Sequence, residues 1–330
     1  MILVTGGAGF IGSNLVAGLE RTGSKELVIC DQFGAGEKWR NISKRDLFDI
    51  ITPQYLTDYI DENAKSIEAI FHLGAISATT EKNADLFLEN NFRLSCKIWS
   101  QCAQYRIPFI YASSAATYGD GTSGFDDIST RSHLASLSPL NAYGWSKNLF
   151  DRWVSRITEI GPNTKIPPQW VGLKFFNVYG PNEYHKEGQI SVALKFYREI
   201  KAGGPAILFR SHNVNYANGA QSRDFIWVGD CVEVLLWLAK TPSISGIFNV
   251  GSGKSRSFND VANVIFSTLG TKPEIKFIDT PLVVRDKYQY FTEANITKLC
   301  EAGYSNTFTS LEKGITQYVS NFLANDDPYI

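Results

Sequence analysis

The segment VTGGAGFIGSN, Val4 to Asn14, sets four glycines within seven positions, Gly6 to Gly12, directly after a short apolar run. Glycine inside a regular element costs stability because it gives up the most backbone freedom. Such a cluster therefore marks backbone that something must approach closely. Ile2–Thr5 reads as a buried strand, and Ser13 to Gly23 as a helix with Leu15, Val16 and Leu19 on one face and Gly23 at its stop. A glycine turn between strand and helix is the setting a dinucleotide requires. Gly7, Gly9 and Gly12 fit one spacing, and Gly6, Gly9 and Gly12 fit a second with three-residue steps. Gly9 would admit a pyrophosphate to the backbone, Gly12 would let the helix pack on the strand, and the helix N-terminus would face the anion. Asp31, nineteen residues after Gly12 at the end of a second strand, stands where an acid grips a ribose diol. The bland alternative, a tight turn with a surface acid, lacks a reason for this context.

The rest of the chain alternates in the same way. AIFHLGA, PFIYASSAATYG and QWVGLKFFNVYG read as strands running into loops, with helical segments such as LFLENNFRLSCKIWSQCAQY between them. This predicts an α/β fold, a Rossmann-type doubly wound parallel sheet with ligands beyond the carboxyl ends of the strands. The second half carries long polar loops (TEIGPNTKIPPQW, RSHNVNYANGAQSRDF), helices over VALKFYREIKAGG and SFNDVANVIFSTLG, and short strands AILF and EIKFI. We expect a dinucleotide-binding domain of residues 1–176 with a return segment at about 226–252, and a smaller α/β substrate lobe from about 177–225 and 253–330.

Composition narrows the partners. With 330 residues, 32 Lys plus Arg against 33 Asp plus Glu, and a net charge of -1, nothing favours nucleic acid or an anionic membrane. The five scattered cysteines read as small buried groups in a reducing compartment, and four isolated histidines suggest no metal site. There is no signal-peptide pattern or membrane-length apolar run, so a cytoplasmic location is expected.

LNAYGWSKNLF places Tyr143 and Lys147 at i and i+4 of a helix, pointing the same way. Together with the glycine turn and the strand end YASSAATYG, this pair resembles the extended short-chain dehydrogenase/reductase superfamily. FFNVYGP, RDFIWVGD and GIFNVGSG fit that superfamily's later landmarks. Tyr143 would be the proton-transfer group. Its pKa must fall by about 3 units, or ~4 kcal/mol, and one ammonium at ~4 Å supplies about that. Lys147 is expected to do this beside a positive nicotinamide and to hold the nicotinamide ribose. Ser114 would hydrogen bond the reacting hydroxyl, with Ser113 the alternate candidate.

Finer details resemble one family within it, the ADP-glycero-manno-heptose 6-epimerases. They are the loop GAISATTE (Gly74–Glu81), the strand YASSAATYG, the His-Lys ending of FNVYGPNEYHK, and the stretches YQYFTEANI and LCEAGY. The resemblance implies cofactor contacts from Gly6, Gly9, Phe10, Ile11, Gly12, Asp31 and Gln32. It adds Lys38, Leu73, Gly74, Ala75, Ile76, Ser77, Asn90 and Val178, besides Tyr143, Lys147 and Lys186. For the substrate it implies Ser114, Asn177, Gly188, Lys195 and Arg223, with Phe209, Arg210, Ser211, His212 and Tyr288. Leu73 and Lys195 depart from the family's residue types, and the loop before Arg223 is longer. The implied substrate is ADP-heptose of lipopolysaccharide core synthesis, and the implied assembly is a homo-oligomer, a pentamer. Asp31 favours NAD, whereas Lys38, Arg40, Lys44 and Arg45 suit a 2′-phosphate; the resemblance favours NADP.

The chemistry explains the parts. C6 of the heptose bears no acidic proton, so inversion needs transient oxidation to a 6-ketone by a tightly bound nicotinamide. Each face then needs a proton partner, Tyr143 on one side and, by resemblance, Lys186 on the other. A lysine that merely contacts phosphate is the alternative for Lys186. A 4,6-dehydratase would want a carboxylate pair where Ala115-Ala116 follow Ser114. A UDP-hexose 4-epimerase is the nearer rival. A non-catalytic dinucleotide sensor would be expected to lose the tyrosine.

Overall fold

The structure, a computed structural model, describes residues 1–161, 165–285 and 288–330. The strands are β1 (Ile2–Thr5), β2 (Leu27–Cys30), β3 (Asp49–Ile51), β4 (Ala69–His72), β5 (Phe109–Ser114) and β6 (Trp170–Phe175). They continue with β7 (Asn177–Tyr179), β8 (Ala206–Phe209), β9 (Ser222–Trp227), β10 (Gly246–Val250), β11 (Ser255–Ser257) and β12 (Ile275–Ile278). Seven form one sheet in the order β10-β6-β5-β4-β1-β2-β3, every pair parallel. Strand order reverses direction at β1, with β2 on one side and β4 on the other, which opens a crevice beyond their carboxyl ends.

The apolar runs explain the layers. β1, β2, β4 and β5 are almost wholly buried, as strands covered on both faces must be. On one face, Leu15, Val16 and Leu19 of the helix Phe10–Arg21 pack with Val232, Leu235 and Leu236 of the helix Val228–Ala239. On the other, Ile98, Trp99 and Cys102 meet Phe150 and Val154 of the helix Ala142–Glu159. A third cluster joins the helices Val192–Lys201, Phe258–Leu269 and Leu311–Tyr318 around β8 and β9. The helix Phe258–Leu269 opens with a Ser257–Asp260 capping box and stops at Gly270 in the left-handed region.

Two expectations change. QWVGLKFFNVYG is not one strand: it breaks at Phe176, whose N–H bonds Val250 O (3.0 Å). β6 stays in the large sheet, while β7 leaves it to pair with β9 in a three-stranded sheet, β11-β9-β7. β8 and β12 form a separate parallel pair. The cysteines are all free, but Cys300 is exposed and Cys96 half-buried, so the buried reading holds for Cys30, Cys102 and Cys231. The polar loop read over TEIGPNTKIPPQW includes residues 162–164, which lie outside the described residues. Among the described residues no helix is long and apolar enough to cross a membrane.

Candidate active site

A cleft of about 870 Å³ lies over the carboxyl ends of the sheet, and the glycine turn forms one wall. Gly6 has φ +68°, and a Cβ there would sit 2.6 Å from Gly74 N, where the ends of β1 and β4 meet. A Cβ at Gly12 would lie 2.1 Å from the Gly6 carbonyl oxygen. Both positions demand glycine. Gly9, Phe10 and Ile11 complete the wall at the N-terminus of the helix Phe10–Arg21, a cradle that suits an anion.

Asp31 sits at the end of β2, nearly buried. Its carboxylate accepts from Ala8 N (2.8 Å), Gln32 N (2.7 Å) and Lys38 Nζ (2.5 Å). Asp31 and Lys38 line the cleft and Gln32 does not; its side chain is exposed. Arg40, Lys44 and Arg45 are engaged elsewhere: Arg40 stacks 4.5 Å over Tyr329, Lys44 pairs with Asp327 (2.8 Å) and Arg45 with Glu20 (2.6 Å). Of the four cations, Lys38 alone reaches the acid.

Leu73, Gly74, Ala75 and Ser77 line the cleft after β4. Ile76 does not, and its backbone N–H and C=O are both bonded by the side chain of Asn91 (2.8 and 2.9 Å). Asn90 turns instead to its own helix, bonding Leu86 O (2.8 Å). The buried Asn91 also donates to Ser146 Oγ (3.0 Å), which donates to Tyr143 O (2.7 Å). Sequence reasoning missed Asn91, and its signal, the repeated asparagine of ENN, does not say which of the two faces inward.

Tyr143, Lys147 and Ser114 converge on the cleft floor. Asn141 caps their helix by accepting from Gly144 N (2.8 Å), which fixes the first turn that carries Tyr143. Burial raises the Tyr143 phenol above its ordinary value, with a hydrogen bond to the Ser114 hydroxyl opposing the shift in part. This differs from the expected depression by Lys147. That ammonium spends a hydrogen bond on Ala112 O (2.8 Å), and burial pulls Lys147 itself down to about 8 against the raising influence of Asp151. Ser113 is occupied, donating to Asp151 (2.7 Å).

Lys186 lines the same cleft from the 3-10 turn Tyr184–Gln189, its ammonium 5.1 Å from the centre of the Phe10 ring. Burial lowers its pKa, with Glu183 opposing. Glu183 is buried and accepts from the backbone N–H and hydroxyl of Ser191 and from Tyr318 OH (3.0 Å). His185 also lines the cleft. Its Nδ1 lies 3.1 Å from the Asn41 amide nitrogen; burial and the cations Lys186 and Lys38 push this histidine down to about 4. Glu183 and His185 lay inside the quoted NEYHK without an assigned part.

The expected substrate residues divide. Ser114, Asn177 and Gly188 line the cleft, as does Val178 of the cofactor set. Arg223 is buried beside it, its guanidinium 5.7 Å from the Phe258 ring and 5.5 Å from Tyr288. Phe209 meets Tyr288 edge-on at 6.3 Å, and Lys195 lies 5.9 Å from the Phe209 ring. Phe258 joins this cation–aromatic group to the cleft, whose wall it shares. Arg210, paired with Asp279 (3.4 Å), and the exposed His212 with Ser211 stand farther out.

Comparison with known proteins decides the family. Residues 2–251 match the model of the NAD dependent epimerase/dehydratase family. The chain belongs to this family. Within it, the chain is 45% identical over the full length of both chains to ADP-L-glycero-D-manno-heptose-6-epimerase of Nitratidesulfovibrio vulgaris. It is 43% identical, again over the full length of both, to the protein of that name from Fusobacterium nucleatum. Among solved epimerase structures, the Helicobacter pylori ADP-L-glycero-D-manno-heptose-6-epimerase matches with TM-score 0.79 and 27% identity, over 97% of this chain and 95% of that one.

Proposed function

We propose that this protein is an isomerase that inverts C6 of an ADP-linked glycero-manno-heptose, converting the D-glycero to the L-glycero form. The observation that carries the reading is one cleft lined by the glycine turn, by Tyr143 with Lys147 and Ser114, and by Lys186. The full-length relatives at 43–45% identity bear the corresponding name. The residues fit a nicotinamide dinucleotide: the Gly9–Ile11 wall at the N-terminus of the helix Phe10–Arg21 would receive pyrophosphate, and Asp31 with Lys38 would receive the adenosine ribose. When bound, such a cofactor supplies reversible oxidation at the substrate carbon.

The chain's own groups handle the protons. Ser114 orients the reacting hydroxyl, and Tyr143 takes its proton on one face. Lys186, with its pKa lowered by burial, is suited to exchange a proton on the other, because a base works best near the operating pH. Arg223, between two aromatic rings, would meet the nucleotide phosphates from the substrate side. Residues 1–176 with about 226–252 would carry the dinucleotide, and the remainder the sugar nucleotide. We place the protein in the cytoplasm as a homo-oligomer, a pentamer by family likeness.

NADP is the proposed cofactor, on the strength of Lys38 beside Asp31; NAD is the alternative. Denaturing the purified protein and identifying the released dinucleotide tests this, and release of NAD alone overturns it. Incubation with ADP-D-glycero-heptose, with C6 configuration followed by NMR, should show conversion. An unchanged C6 alongside turnover of a UDP-hexose would transfer the assignment to a 4-epimerase.

A further inference from the structure

Behind the reacting groups lies a charged pair that reaches neither cleft nor solvent. Asp151 and Lys174 are each 0% exposed and meet at 2.7 Å. Desolvating two charges offsets most of their attraction, so a buried pair is weak evidence for stability and invites another explanation. Its partners supply one. Lys174 on β6 is in register with Ser113 on β5, and Ser113 Oγ donates to the same Asp151 oxygen, Oδ2, that meets Lys174. The other oxygen accepts from Tyr111 OH (3.2 Å). Lys174 Nζ also donates to Thr117 Oγ1 (2.7 Å), and Thr117 Oγ1 donates to the carbonyl of Ser114 (2.8 Å). Ser114 is thus gripped through the residue before it and the turn after it. On the helix, Asp151 stands one turn beyond Lys147 and two beyond Tyr143.

We infer that Asp151 and Lys174 are positioning residues that fix Ser114 against the Tyr143 phenol for proton transfer. The inference rests on the reading of Ser114 and Tyr143 as reacting groups. Neither residue of the pair lines the cleft, so disturbing them should change the chemical step and spare binding.

The test uses Thr117→Val, which keeps side-chain shape and cuts the link from Lys174 to Ser114, and Lys174→Met, which removes the ammonium. Small misplacements of reacting groups are costly in rate, so kcat for ADP-heptose should fall about 10-fold or more. KM and the amount of dinucleotide retained should stay within a few-fold. The double variant Asp151→Asn with Lys174→Gln replaces the ion pair with a neutral amide pair and should recover most of the lost kcat. An unaltered kcat in Thr117→Val overturns the inference. So does a joint decline of kcat, substrate affinity and dinucleotide retention, the pattern of general loosening. Tyr143→Phe assayed alongside separates the two levels: activity retained there removes the underlying reading, whereas an inactive Tyr143→Phe with an unimpaired Thr117→Val removes the positioning role alone.

Discussion

Tyr143 and Lys186 look into one cleft from supports of different kinds. Tyr143 rides on the eighteen-residue helix Ala142–Glu159, capped at Asn141 and packed through Phe150 and Val154 into the sheet. Lys186 rides on a six-residue 3-10 turn, Tyr184–Gln189. That turn is held by polar contacts: Glu183 to Ser191 and Tyr318, Asn41 to His185, and Tyr184 OH to Pro328 O (2.9 Å). A helix buried along its length keeps its place when one hydrogen bond is lost. A turn tied by a few bonds, each worth about 0.5–1.5 kcal/mol net, does not. The difference makes the helix that carries Tyr143 the more tolerant of a lost hydrogen bond along it and the turn that carries Lys186 the more sensitive.

Tyr143→Phe should have the largest effect. It deletes the hydroxyl proposed to transfer the proton and leaves the ring, so epimerisation should fall by about 10²–10⁴ with Tm nearly unchanged. Activity within a few-fold of wild type would show that the helix side is not the seat of chemistry.

Lys186→Met sharpens the contrast by asking whether the second side carries chemistry at all. Epimerisation of ADP-heptose should collapse, because one face loses its proton partner. An analogue with an aldehyde at C6 can disproportionate, one molecule reduced to the alcohol and a second, hydrated one oxidised to the acid so that the cofactor returns to its starting state. This reaction demands no inversion and should persist through Tyr143. Equal loss of both reactions with a raised substrate Kd would reduce Lys186 to a phosphate contact.

Asn41→Leu probes the ties of the turn. The Asn41 amide nitrogen is placed against Ala8 O (2.9 Å), Asn182 O (3.0 Å) and His185 Nδ1 (3.1 Å). Stranding buried acceptors costs about 1–3 kcal/mol, and epimerisation should drop several-fold while the aldehyde reaction holds. A matched decline in both reactions would mean that the two sides are not mechanically separate.

The smallest effect is a pH dependence of stability. His185 has its pKa lowered from 6.5 to about 4 in the folded chain. Between those values the unfolded chain holds the extra proton, so the wild type loses stability as pH falls through this window. His185→Gln lacks that contribution. The stability difference, wild type minus variant in urea titrations, should therefore shrink from pH 6.5 down to about 4 and then level off. A constant difference would show that His185 is not buried as the neutral ring.

Much of the site was legible where chemistry depends on local spacing. Gly6, Gly9 and Gly12, Asp31, and Tyr143 with Lys147 were each placed by residues close in sequence, and the structure brings all of them to one cleft. Asn90 and Asn91 show where reading stopped. A π-helical turn, Leu88–Arg93, separates the helices Ala84–Phe87 and Leu94–Tyr105, and its wider winding shifts the phase by which neighbours take faces. Periodicity counted at 3.6 residues cannot tell which asparagine reaches Ile76. The break of the FFNVYG strand at Phe176 was equally hidden, since it depends on pairing with Val250 and with β9, both far along the chain.

The sequence alone determined the parallel α/β architecture, the dinucleotide turn and the tyrosine–lysine pair, because strand, turn and helix signals act over a few residues. Tertiary structure alone decided how the charges stand. It put Lys147 against Ala112 O and not simply beside the phenol, left Lys38 as the cation at Asp31, and set Lys186 against Phe10 near Glu183. It also sealed Asp151 and Lys174 behind Ser114. Desolvation and long-range pairing set those energies, and both depend on what surrounds a group in space, which residue order does not state.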